Sequence, residues 1–101
     1  MRIPQKKALS MKQEGKDLII LGVRTIDEYA MEHIKGAINI PDKTISNAKP
    51  DLLQDTDRTI QVYCQGGGMR AGSAVRKLKR MRYKHAYNMG GITSWTGEIV
   101  R

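Results

Sequence analysis

Strand and helix signals alternate along the chain, which predicts an α/β fold with a parallel sheet carrying helices on both faces. Three observations support this. Leu18-Ile19-Ile20-Leu21 is a continuous apolar run without alternation, as expected of a parallel strand covered on both sides. Thr59-Ile60-Gln61-Val62-Tyr63 is rich in β-branched residues and reads as a second buried strand. Between Arg70 and Met81, residues Ala71, Ala74, Val75, Leu78 and Met81 recur at helical spacing while Arg76, Lys77, Lys79 and Arg80 face away.

The elements follow in order. Pro4 to Gly15 reads as a short helix, with Ala8, Leu9 and Met11 inward and Gly15 as its stop. After the first strand, Thr25-Ile26-Asp27-Glu28 forms a capping box, with Thr25 as N-cap and Glu28 at N3, opening a helix that ends near His33. Ala37-Ile38-Asn39-Ile40 is a short strand stopped by Pro41, and a helix is expected around Pro50. Past the amphipathic helix, His85-Ala86-Tyr87-Asn88 is a strand, Gly90-Gly91 a turn, and Ile92 to Trp95 a last helical segment. With 101 residues and no internal repeat or linker, residues 1–101 are read as one domain.

Composition narrows the chemistry. The chain is 40% hydrophobic and 28% charged, and its apolar runs fall far short of the ~20 residues that span a bilayer. The opening MRIPQKKALSMKQEGK lacks the apolar stretch of a secretory signal, so a cytoplasmic protein is expected. Cys64 is the single cysteine, which excludes an internal disulfide and a cysteine-rich zinc site. A net charge of +8 favours small anions, acidic proteins or nucleic acid as partners. Five aromatics and no phenylalanine argue against nucleic acid, which charge alone supports.

The informative segment runs from Val62 to Ser73: a strand, a turn made largely of glycine, then a helix. Gly66, Gly67 and Gly68 can take backbone angles closed to other residues, so that successive NH groups form an anion-binding nest beside Cys64. The helix dipole and the guanidinium of Arg70 both favour thiolate over thiol. Nucleophile and anion cradle then share one loop.

Val23-Arg24, Glu28-Tyr29, His33-Ile34 and Gly36-Ala37-Ile38-Asn39-Ile40-Pro41 resemble the rhodanese signature D-V-R-x-x-x-E-Y-x-x-G-H-I-x-G-A-x-N-I-P. Tyr63-Cys64, Gly68 and Arg70, then Tyr87-Asn88-Met89-Gly90-Gly91-Ile92 and Trp95, resemble that family's catalytic loop and its closing Y-N-L-x-G-G-I-x-x-W. The resemblance implies a three-layer α/β/α domain around a mainly parallel sheet of about five strands. It also implies a sulfurtransferase in which Cys64 attacks a sulfane-sulfur donor such as thiosulfate and becomes a persulfide. Residues 65 to 70 (Gln65, Gly66, Gly67, Gly68, Met69, Arg70) would hold the small anionic donor, Arg24 would support them, and a thiol or protein would accept the sulfur. No metal or organic cofactor is implied.

Three departures matter, one being that the stretch before Gly90-Gly91 is a residue shorter than is common in the family. Gly22 stands where the family usually has Asp, so Arg24 is expected to find another partner. Five residues separate Cys64 from Arg70 where the sulfurtransferases usually have four. C-x5-R is the count of the superfamily's phosphatases and arsenate reductases, which stand as the alternative beside a non-catalytic binding module. The glycine run and Arg70-Ala71-Gly72-Ser73 favour the sulfurtransferase. His33 is expected to bond nearby backbone rather than to act as a base. Glu28, with Asp27 and Glu32, is expected on the surface of its capped helix, and the basic residues from Arg76 to Lys84 on a solvated face.

Overall fold

The computed structural model describes residues 4–46, 49–66 and 68–101. The chain runs α1 (Gln5–Gln13), β1 (Ile19–Gly22), α2 (Ile26–Met31), β2 (His33–Ile34), β3 (Ile38–Asn39), β4 (Thr59–Cys64), α3 (Met69–Arg80), β5 (His85–Gly91) and β6 (Ile99–Val100), with 3-10 turns at Asp42–Thr44 and Ile92–Ser94. Four strands form a parallel sheet in the order β3-β1-β4-β5, while β2 and β6 pair antiparallel in a sheet of their own. The fold is therefore α/β; all four strands expected from the sequence lie in the central sheet, which has four strands and not about five, and the unexpected β2 and β6 form a short separate ribbon.

Alternation along β4 sorts the core into two halves. Ile60, Val62 and Cys64 point to the face covered by Ala71, Ala74, Val75 and Leu78 of α3. Tyr63 points to the other face, where Ala8 of α1 meets Ile20, Met89 and Trp95. Both halves exclude water from their central apolar side chains, the dominant favourable contribution to folding, while Ile26, Met31, Leu52, Met69 and Val100 stay exposed.

The capping box forms as expected: the Thr25 hydroxyl accepts from the Glu28 amide at 3.2 Å, and the Glu28 carboxylate accepts from the Thr25 amide at 2.8 Å. Four other expectations need correction. Helix α2 stops at Met31, because His33 and Ile34 leave it to pair with Val100 and Ile99. No helix forms at Pro50, where residues 49–52 are loop and turn; a proline amide cannot join a helical ladder. Gly90-Gly91 is the end of β5 and not a turn. Lys77 does not face away: its ammonium donates to the Asp42 carbonyl at 2.9 Å and carboxylate at 3.0 Å.

The end of β5 explains how a strand absorbs two glycines. Val62 pairs with Asn88 but Tyr63 pairs with Gly90, so Met89 is an extra residue, and Gly90 takes φ 90° beside it. The bulge brings Gly91 opposite Cys64.

Candidate active site

Cys64 is the last residue of β4, at the carboxyl end of the parallel sheet, the position at which open α/β sheets place their ligands. The loop beyond it leads directly into α3. Gly91 lies beneath that loop, and a Cβ on Gly91 would stand 2.5 Å from the Gly66 Cα and 2.8 Å from the Gln65 oxygen. Only a residue without a side chain lets the loop lie on the sheet.

Gly68 is the N-cap of α3, with φ 80° and no side chain to cap the helix. Its carbonyl accepts from the Gly72 amide at 2.8 Å and from the Asn88 side-chain amide at 3.0 Å. Asn88 also accepts from the Gly90 amide at 2.8 Å, so this one side chain ties the loop to the bulge of β5. The amides of Met69, Arg70 and Ala71 occupy the first turn, where a helix leaves its donors without intrahelical partners.

The sulfur itself is less open than the sequence suggests. Cys64 is 1% exposed, and its thiol donates to the Gly66 carbonyl at 3.5 Å. The Gly68 amide donates to that same carbonyl at 2.7 Å, so the expected inward nest is turned partly on itself. Gln65 is half-buried, Gly66 and Met69 are exposed, and Gly68 is buried; Gly67, expected among the anion-binding residues, lies outside the described residues.

Arg70 is also placed differently from the expectation. Its guanidinium forks onto Glu28, with Nη1 donating to Oε1 at 2.9 Å and Nη2 to Oε2 at 3.2 Å. Glu28 is thus not a free surface carboxylate. The Arg70 hydrogen bond, then the Thr25 amide, hold its carboxyl at about 2, and the same contact raises Arg70 above its ordinary value. The capping box and the E-Y of the signature both pointed to Glu28, but only for helix capping; neither signals which cation it meets across the fold.

Arg24 does not join the loop. It is 3% exposed, and its Nη1 donates to the Glu32 carbonyl at the end of α2 at 2.6 Å. Asn39 braces the neighbouring backbone by donating to the Gly22 and Arg24 carbonyls at 3.1 and 3.0 Å. Gly22 makes room for another group: a Cβ there would stand 2.9 Å from both Cζ and the hydroxyl of Tyr63. The Tyr63 hydroxyl accepts from the Ile34 amide at 3.3 Å, and burial raises its pKa despite that bond and the nearby Arg24 charge. His33 bonds backbone as expected, its Nδ1 lying 2.9 Å from the Tyr29 carbonyl.

A cleft of about 580 Å³ opens at the far end of α3, lined by Lys49, Lys77, Arg80 and Arg82 and by no residue of the Cys64 loop. Among the described residues no cluster of three His, Cys, Asp or Glu gathers to hold a metal, and no helix is long and apolar enough to cross a membrane.

Comparison with known proteins agrees with this architecture. The Rhodanese-like domain family matches residues 5–98. The chain is 38% identical over 72 residues to the thiosulfate sulfurtransferase PspE of Escherichia coli (strain K12), covering 71% of this chain and 68% of that protein. It is 33% identical over 81 residues to the uncharacterized protein YqhL of Bacillus subtilis (strain 168), covering 79% of this chain and 62%, under two thirds, of that one. The solved structure of a rhodanese with anions from E. coli superposes with a TM-score of 0.75 at 33% identity, covering 83% of this chain and 98% of that one.

Proposed function

The chain belongs to the rhodanese-like family, and on that premise we propose that it is a sulfurtransferase with Cys64 as nucleophile and sulfur carrier. The observation that carries this reading is Cys64 at the carboxyl end of β4, facing a glycine loop that runs into the uncapped N-terminus of α3. The thiol first gives up to solvent the proton it directs at the Gly66 carbonyl. The thiolate then attacks the outer sulfur of the donor; a bond from Sγ to that sulfur forms as the donor's own sulfur bond breaks, and the electron pair leaves on sulfite or on a donor thiolate. No external oxidant or reductant is required. The persulfide anion on Cys64 is held by the loop and the positive end of α3 until a thiol on a small molecule or protein removes the sulfur, a two-step covalent cycle.

The loop residues take unequal parts. The first-turn amides of Met69 and Arg70 are donors free to face an anion, while Gly68 and Gly91 shape the backbone that presents them. Arg24 acts at a distance, by fixing the end of α2. The name of the similar PspE supports thiosulfate as one donor.

Intact mass after thiosulfate treatment tests the reading: an adduct of about 32 Da on Cys64, absent in Cys64→Ser, is the expected result. A wild-type mass left unmodified by both thiosulfate and an organic persulfide overturns it. Turnover of an aryl phosphate requiring Cys64 and Arg70 would instead favour the C-x5-R hydrolase reading.

A further inference from the structure

Arg70 is the one cationic side chain in the segment from Cys64 to Met69 and its helix start, yet both ends of its guanidinium fork are occupied by Glu28. Glu28 is not free to swing aside, because the same carboxylate receives the Thr25 amide as half of the capping box of α2. Releasing Arg70 to a substrate therefore also weakens the cap. Asp42, with its own cation Lys77, adds a second carboxylate whose field reaches Arg70. The one side-chain charge at the helix start is thus paired within the protein, although the whole chain carries +8.

We propose that Glu28 is a positioning residue that neutralises Arg70, so that the loop holds its donor by backbone amides alone and prefers the sulfane sulfur of an organic persulfide to a dianion such as thiosulfate. This deepens the sulfurtransferase reading and rests on it. A dianion entering the loop meets an Arg70 already paired and faces a fixed carboxylate; at a few ångströms that repulsion is substantial in a partly desolvated site. An organic persulfide brings one charge or none, and hands over its outer sulfur while its thiolate leaves, so it needs only the amides and the helix dipole.

Two measurements on wild type, Glu28→Gln and Thr25→Ala test the proposal. Gln at N3 preserves the capping box and removes only the charge, whereas Thr25→Ala removes a cap bond and leaves the charge. The first measurement needs no turnover: protection of Cys64 against iodoacetamide by sulfate and by thiosulfate. Glu28→Gln is expected to tighten both by about three- to tenfold, with Thr25→Ala unchanged. The second is kinetic: in Glu28→Gln the KM for thiosulfate falls with kcat little altered, while the parameters for an organic persulfide donor stay as in wild type. Unchanged or weaker anion protection in Glu28→Gln overturns the proposal. If neither donor yields an adduct on Cys64, the sulfurtransferase reading fails, and the protection ratio still decides whether Glu28 sets the charge of the site.

Discussion

The two ends of α3 are built against the usual preferences for helix termini. Helices favour Ser, Thr, Asp or Asn as N-cap and glycine just past the C-terminus. Here glycine is the N-cap and arginine occupies the left-handed position after the last turn. At the far end the Tyr83 amide donates to the Leu78 carbonyl at 3.1 Å and the Arg82 amide to Lys79 at 3.0 Å, a Schellman motif closed by apolar contact of Tyr83 with Leu78. Arg82 fills its left-handed position with φ 72°. At the near end Gly68 offers α3 no side-chain acceptor, leaving the first-turn donors for another anion. The comparison separates binding from attraction. Beside the cysteine loop Arg70 is paired with Glu28, while Lys49, Lys77, Arg80 and Arg82 line a cleft at the opposite end.

The largest effect is expected at the near end, from Gly91→Ala. The new methyl meets loop backbone that has no side chain to yield, so the loop must lift; a loss of about 1 to 3 kcal/mol is expected, with loss of sulfur transfer. Chemical denaturation together with the mass assay checks both, and a wild-type profile in either would show that the loop does not depend on that contact.

Gly68→Ala comes next. Forcing an alanine into φ 80° costs about 1 to 2 kcal/mol, and the damage should fall on Cys64 reactivity as well as on stability. The matching change at the other end, Arg82→Gly, has the opposite sign. It relieves the same kind of strain, less the extra flexibility of glycine when unfolded, and should stabilise by about 0.5 to 1 kcal/mol without altering persulfide formation. Melting curves of the two variants would move in opposite directions; movement in the same direction would remove the contrast between the ends.

The smallest effect concerns acid. Because Glu28 is held at about 2 in the folded chain against an ordinary 4.5, its contribution is full above 4.5 and fades as pH falls towards 2. The melting temperatures of wild type and Glu28→Gln should therefore draw together as pH falls from about 5 towards 2. Both partners are about a third exposed, so the gap itself will be modest and will shrink with salt.

Much of this architecture was legible in the residues. The β-branched runs, the capping box at Thr25 and the helical spacing of Ala71, Ala74, Val75 and Leu78 are local signals, and each became the element it predicts. Apart from the helix expected at Pro50, the errors have a common physical origin in partners distant along the chain. His33 and Ile34 look like the tail of a helix until Ile99 and Val100 arrive to pair with them. Gly90-Gly91 looks like a turn because the bulge and the overlying loop that require glycine come from β4 and residues 65–66. At the site, the placement of Cys64 at a strand end before a glycine turn was legible locally, but the engagement of Arg70 by Glu28 spans 42 positions and leaves no local trace. Lys77 was assigned to the solvated face for the same reason, its partner Asp42 lying 35 positions away.

The packing of Tyr63 against Gly22 couples two positions that each look freely replaceable alone. A side chain at 22 would set its first carbon 2.9 Å from the phenol, so it is accommodated only where that ring shifts or gives way to a smaller residue.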